Sequence, residues 1–88
     1  MGAPAPVIVK VTTPEYGRVV IEASDGMRYS ADLSSLSGVF CYSRSPTEWE
    51  RVASDSHGLA LVWTTCFEVH IDQVIGLADR REPIASTA

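Results

Sequence analysis

The stretch that most constrains what this chain can fold into is Arg18–Leu33, RVVIEASDGMRYSADL, two β-rich runs joined at Asp25-Gly26. Asp-Gly between such runs predicts a hairpin whose loop holds two or three residues. With two, Ala23 would face Arg28 and Glu22 would face Tyr29, mixing polar and apolar partners on both faces. With three (Ser24, Asp25, Gly26), Ala23 faces Met27, Ile21 faces Tyr29 and Val19 faces Ala31. The opposite face then sets Glu22 against Arg28 and Arg18 against Asp32. Directly opposed pairs stabilise a ladder, and a one-residue slip would turn a strand's whole apolar set to solvent. The three-residue loop is therefore predicted, as a type I turn closed by Gly26 at positive φ. Two outer ion pairs, Arg18–Asp32 and Glu22–Arg28, contribute at most about 1 kcal/mol each, so this outer face reads as solvated scaffold.

The flanking sequence supplies material for extending that hairpin. Val7–Thr13 (VIVKVTT) alternates, with Val7, Val9 and Val11 on one side, and reads as a strand joined through Pro14–Gly17. After Asp32, the residues Leu33, Leu36, Val39 and Phe40 recur at near-helical spacing among poor helix formers, which predicts a turn or a 3₁₀ segment laid on the sheet. Ser45-Pro46-Thr47-Glu48 has the form of a capping box with Pro at the first helical position. It predicts a short helix over 46–52 that plugs Trp49 into the core. The chain then returns to β at Ala53–Asp55, turns at Ser56–Gly58, and forms a second hairpin from Leu59–Trp63 and Phe67–Ile71. A three-residue loop at 64–66 pairs Trp63 with Phe67, Leu61 with Val69 and Leu59 with Ile71, although no glycine stands there. Asp72 is expected to cap a short helix over 73–78. The fold class is thus α+β: an antiparallel meander of about six short strands in two three-stranded segments, with two short helices. Residues 1–6 read as a disordered leader, 7–78 as one domain and 79–88 as a flexible tail.

Composition narrows the function classes. Eighty-eight residues bury only about 60–65% of the surface of the unfolded chain, enough for one modest core. Formal net charge is -4, and of seven basic residues only Arg80-Arg81 are adjacent. Phosphate-backbone binding needs a basic stripe, so direct nucleic-acid binding and adhesion to anionic membranes are disfavoured. No run approaches the roughly 20 apolar residues of a membrane span. Pro6 stands where a myristoylation signal would carry Ser or Thr. Two cysteines, Cys41 and Cys66, do not make a disulfide framework, and reduced thiols in a cytoplasmic protein are expected.

Few residues carry chemistry. Asp55-Ser56-His57 has the letters of a triad, but triads are assembled in space, and Asp and Ser before Gly58 are ordinary turn residues. Cys66, Glu68 and His70 alternate onto one outward strand face and are weak metal candidates without a fourth ligand. Cys41, between Phe40 and Tyr42, reads as buried; a nucleophilic role for either cysteine would need His57 or His70 within reach. There is no glycine-rich phosphate loop and no Cys-x-x-Cys. No catalytic or cofactor-binding residue is assigned, and the chain is not expected to be an enzyme.

The succession Val11-x-x-Pro14-x-Tyr16, Asp25-Gly26, Asp32-Leu33, Gly38-Val39-Phe40, Trp49, Val52 with Asp55, Leu61-Val62-Trp63 and Ile71-Asp72 resembles the short bacterial proteins grouped as domain of unknown function 2442. The resemblance covers residues 8–78 and departs at Thr64-Thr65-Cys66, where that family typically has an Asn-Gly-like turn. It implies a small α+β domain without an established activity. Some relatives carry an added helix-turn-helix domain, for which these 88 residues leave no room, and others sit beside a small partner gene in toxin–antitoxin-like pairs.

The expectation is a non-enzymatic protein-interaction module without a cofactor: antitoxin-like, an accessory subunit, or a homodimer. Its partner would pair with a sheet edge, at Val7–Thr13 or Phe67–Ile71. The alternative is a small ligand- or metal-binding protein using the outer face of 67–71.

Overall fold

A computed structural model describes residues 5–38, 42, 45–64 and 66–84. The chain is α+β. Strands β1 (Ile8–Thr12), β2 (Arg18–Ala23), β3 (Met27–Asp32) and β7 (Ala78–Pro83) form a four-stranded antiparallel sheet in the order β1-β2-β3-β7. Strands β4 (Ala53–Ser54), β5 (Ala60–Val62) and β6 (Glu68–His70) form a three-stranded sheet in chain order. A 3₁₀ turn at Ser34–Leu36 follows β3, helix α1 spans Pro46–Trp49 and helix α2 spans Ile71–Leu77.

The β2–β3 hairpin has the three-residue register. Val19 faces Ala31, Ile21 faces Tyr29 and Glu22 faces Arg28. The Gly26 N–H donates to the Ala23 carbonyl at 3.1 Å with φ +82° at Gly26. Asp25 holds the turn from both sides, accepting from the Met27 N–H at 2.9 Å and the Tyr29 hydroxyl at 2.7 Å. That hydroxyl is held protonated above its ordinary range, first by its bond to Asp25. The β5–β6 hairpin also has the three-residue loop, and the Cys66 N–H closes it onto the Trp63 carbonyl at 3.0 Å. With no glycine available, Cys66 itself takes φ +65°.

Four expectations need correction. Residues 79–83 are strand, not tail: Arg28 faces Glu82 and Ser30 faces Arg80 along β7. Among the described residues the first sheet therefore has four strands, and the two sheets together have seven. In β1 a bulge at Val9 breaks the alternation, so Ile8 is buried and Val9 is 68% exposed. Helix α1 ends at Trp49 and not at 52, because Ala53 is already paired with Val62 across β4 and β5. Ser45 is its N-cap, but its side chain makes no capping bond; its carbonyl accepts from the Trp49 N–H at 2.9 Å. Helix α2 begins at Ile71, and its cap is His70 in place of Asp72. The His70 Nδ1 accepts from the Asp72 N–H at 3.2 Å, and Gln73 Oε1 accepts from the His70 N–H at 3.1 Å.

One apolar cluster draws on both sheets: Ile8, Val19, Ile21, Tyr29, Ala31 and Leu33 from the first, Leu61, Trp63, Phe67 and Val69 from the second, with Ile71 and Val74 from α2. Leu33 is fully buried and Leu36 packs on the cluster beside the 3₁₀ turn; Val39, Phe40 and Cys41 lie outside the described residues. Trp49 is fully buried, its ring centroid 4.7 Å from that of Trp63. Burying an indole also requires a partner for its N–H. Trp49 Nε1 donates to the Arg18 carbonyl and Trp63 Nε1 to the Trp49 carbonyl, each at 3.0 Å. The two indoles thus tie β2, α1 and the second sheet together.

The sheets also join through backbone. The Ile8 N–H donates to the Gly58 carbonyl at 2.7 Å, bringing the turn between β4 and β5 against β1. Gly58 has φ +69°, and a Cβ placed there would lie 2.9 Å from the Ile8 oxygen and 3.1 Å from Val7 Cβ.

Candidate functional site

The residues singled out for chemistry serve local structure. In Asp55-Ser56-His57, the Asp55 carboxylate accepts from the Leu59 N–H at 2.8 Å and the His57 N–H at 3.1 Å. These backbone donors, Leu59 first, hold its carboxyl below the usual carboxylate range. Cys66, Glu68 and His70 are all exposed, but Cys66 closes a turn and His70 caps a helix. Among the described residues, no group of three or more His, Cys, Asp or Glu side chains is placed to hold a metal ion.

The densest polar constellation lies instead on the outer face of the first sheet, around Arg18. Expected to pair with Asp32, Arg18 turns to the neighbouring β7. Its Nη1 and Nη2 donate to Asp79 Oδ1 and Oδ2 at 2.9 and 2.8 Å, and Nη1 also donates to Ser30 Oγ at 2.8 Å. Glu15 adds a contact at 3.5 Å from Nε. Planar guanidinium meets carboxylate in a two-pronged fork, the arrangement that suits arginine. It raises the Arg18 pKa and lowers that of Asp79, and in both the direct bond is the main cause. Asp32, near Arg18 but not bonded to it, accepts from the Ser34 N–H at 2.9 Å, which is the main reason its carboxyl is also lowered, with the Arg18 charge adding to it. The expected Glu22–Arg28 pair is present at 3.1 Å and extends to Glu82 at 3.6 Å from Arg28.

Pro14, Arg18, Val20, Ser30, Asp79 and Arg80 line an open depression of about 480 Å³ on this face. Arg18 and Asp79 neutralise one another there. Arg80 forms no salt bridge of its own among the described residues, but its charge helps to lower the Asp79 carboxyl.

Strand order decides which sheet edges are open. The Ser24 N–H donates to Val7, so Ile8 faces away from β2, and its N–H is taken by Gly58. Strand β1 runs beside β4, and the bulge at Val9 interrupts the edge expected at Val7–Thr13. In the second sheet, Trp63 N–H bonds to Phe67 and Ile71 N–H to Leu59. Alternation then turns Glu68 and His70 outward. The His70 N–H is already taken by Gln73, and its carbonyl opens the helix. Only Glu68 offers a free backbone donor and acceptor at the expected Phe67–Ile71 edge. On β7, the Ile84 N–H donates to Gly26, so Glu82 and Arg80 face β3 and Arg81 faces out. Pro83, lacking an N–H, also sits at an outward position, the place an edge strand tolerates proline.

Sequence reasoning missed Asp79, Arg80 and Arg81. The one available signal was the match of charges, with Glu82 falling opposite Arg28 and Asp79 adjoining Arg18. No helix of the described residues is long and apolar enough to cross a membrane. No family model, curated protein or solved structure matches the chain.

Proposed function

We propose that this chain is a non-enzymatic interaction module whose partner is another protein chain, bound as an added strand on an open sheet edge. Antitoxin-like, accessory-subunit and homodimeric roles all fall within this reading. The observation that carries it is the strand order, in which β6 and β7 stand outermost with backbone groups left over. An extended partner segment satisfies such groups directly, and side chains alternating along it supply specificity. The outer face of 67–71 draws no support as a ligand site, since the His70 ring is turned back onto its own helix.

Edge-blocked variants test the reading. Glu68→Pro removes the outward donor of β6 and Arg81→Pro that of β7, each without breaking a ladder bond. A partner co-purified from the native host with the unaltered chain should be lost with one of the two, while circular dichroism stays unchanged. Retention by both variants refutes strand addition. Light scattering tests the homodimeric role, which a strict monomer eliminates.

A further inference from the structure

We infer that the strand added to this chain is β7 of a second copy, paired antiparallel with β7 about a two-fold axis at Arg81. This rests on the interaction reading above and adds to it the edge, the register and the occupant.

Backbone supply selects the edge. Strand β6 keeps a single outward residue, and β1 is engaged by Gly58 and interrupted at Val9. Strand β7 covers β3 with one side and turns the Arg81 N–H and carbonyl to the other. In an antiparallel ladder, two opposed residues of this kind exchange both of their bonds. Two copies of Arg81 facing one another across the axis therefore satisfy each other's outward groups. Such an interface uses the same patch on both subunits and closes, so it makes a dimer and not a filament.

Charge selects the register. With Arg81 on the axis, Arg80 of each chain stands opposite Glu82 of the other. Both residues are exposed. Directly opposed unlike charges stabilise a ladder, and the symmetry supplies this pair twice. Within its own chain Arg80 forms no salt bridge among the described residues, whereas Glu82 lies 3.6 Å from Arg28, itself 3.1 Å from Glu22. Pairing extends that row across the outer face as Glu22, Arg28, Glu82 and the second copy's Arg80, alternating in sign at every step. The adjacent register, centred on Glu82, opposes two glutamates and sets Arg81 against Pro83, which has no N–H to return. One like-charged pair remains, Arg81 with its own copy on the inner face. Each guanidinium there donates to the Ile75 carbonyl at 3.1 Å, which holds it toward its own α2. The match is short, bounded by the bulge at Asp79 and by Pro83, so the dimer is weak and sensitive to single substitutions.

The full chain is followed by sedimentation equilibrium and amide NMR from micromolar to millimolar concentration. A dimer should form as concentration rises, slow Arg81 N–H exchange several-fold, leave Glu68 N–H exchange unchanged, and loosen as salt shortens the screening length. Arg80→Glu breaks no salt bridge within the chain, yet it turns both cross-pairs repulsive and should weaken the dimer about tenfold. Glu82→Arg should weaken it likewise. An equal mixture of the two variants restores both unlike pairs and should associate as well as the unaltered chain, a rescue that misfolded chains would not give. A strict monomer at millimolar concentration, a dimer indifferent to Arg80→Glu, an unchanged Arg81 N–H in the dimer, or variants that stay apart when mixed overturns the inference. Each of these outcomes spares the interaction reading, which fails only if a native partner survives both proline substitutions.

Discussion

Gly26 and Gly58 offer a controlled comparison of what a methyl group costs at two similar backbone angles. Their φ values are +82° and +69°, so alanine at either enters the left-handed region, at about 1–2 kcal/mol. Around Gly26 nothing lies within 4 Å of an added Cβ, and the angular term stands alone. At Gly58 the Cβ would lie 2.9 Å from the Ile8 oxygen, 3.1 Å from the Ile8 nitrogen and 3.1 Å from Val7 Cβ. None of these is the far end of a flexible side chain, so β1 must retreat. Retreat stretches the 2.7 Å bond from Ile8 N–H to the Gly58 carbonyl, whose loss costs about 1 kcal/mol, and loosens buried Ile8. The expected losses are about 1–2 kcal/mol for Gly26→Ala and about 1 kcal/mol more for Gly58→Ala. Thermal midpoints should fall by about 4–16 °C for Gly26→Ala and by about 4–8 °C further for Gly58→Ala. Urea unfolding with equal slopes would show that both act on stability alone. Amide exchange at Ile8 should accelerate in Gly58→Ala and stay unchanged in Gly26→Ala. Equal stability losses, or an unaffected Ile8 amide in Gly58→Ala, would refute the contact between the two sheets through this turn.

Cys66→Gly should stabilise the protein by about 0.5–1 kcal/mol, read as a raised urea midpoint. The relieved left-handed strain of about 1–2 kcal/mol exceeds the extra unfolded-chain entropy of about 0.4–1 kcal/mol. Truncation after Leu77 should lower stability by about 2 kcal/mol or more, since it strips the ladder bonds of β3 and the Asp79 partner of Arg18; a thermal scan unchanged from the full chain would restore the tail reading. Asp32, Asp55 and Asp79 all titrate below the ordinary carboxylate value in the folded state. Their contribution is therefore complete above about pH 4 and is lost as pH falls through the lowered folded values. Urea midpoints at pH 7, 4 and 3 should decline at the acid end, and less steeply in Asp55→Asn.

Both hairpins were legible in the sequence because two independent patterns agree on one register. In Arg18–Leu33, only the three-residue loop joins like with like on the inner face and Glu22 with Arg28 on the outer. In the second hairpin, apolar pairing alone selected three residues, and Cys66 accepts the left-handed conformation that follows. Strand β7 was illegible for a complementary reason. An edge strand with both faces polar shows no hydrophobic alternation, and Asp79–Glu82 acquires its extended form from β3, distant in sequence. The same blind spot misassigned Arg18: its partner followed from which strand stands beside β3, which local pattern does not encode. The Val9 bulge was likewise hidden, since the three valines of VIVKVTT alternate perfectly until the ladder itself inserts an extra residue.

The position of β7 in the sheet also sets an order of events. Strands β1 to β3 lie together near the N-terminus, and their meander can pair while the rest of the chain is still being made. Domains assemble from the N-terminal side during synthesis, at about 5–20 residues per second. The strand that covers β3 follows it in the chain only after both helices and the whole second sheet. Until β7 is made, β3 lacks the neighbour that pairs the backbone of Arg28 and Ser30. The clasp between Arg18 and Asp79 then acts as a latch that shuts only once β7 has been made.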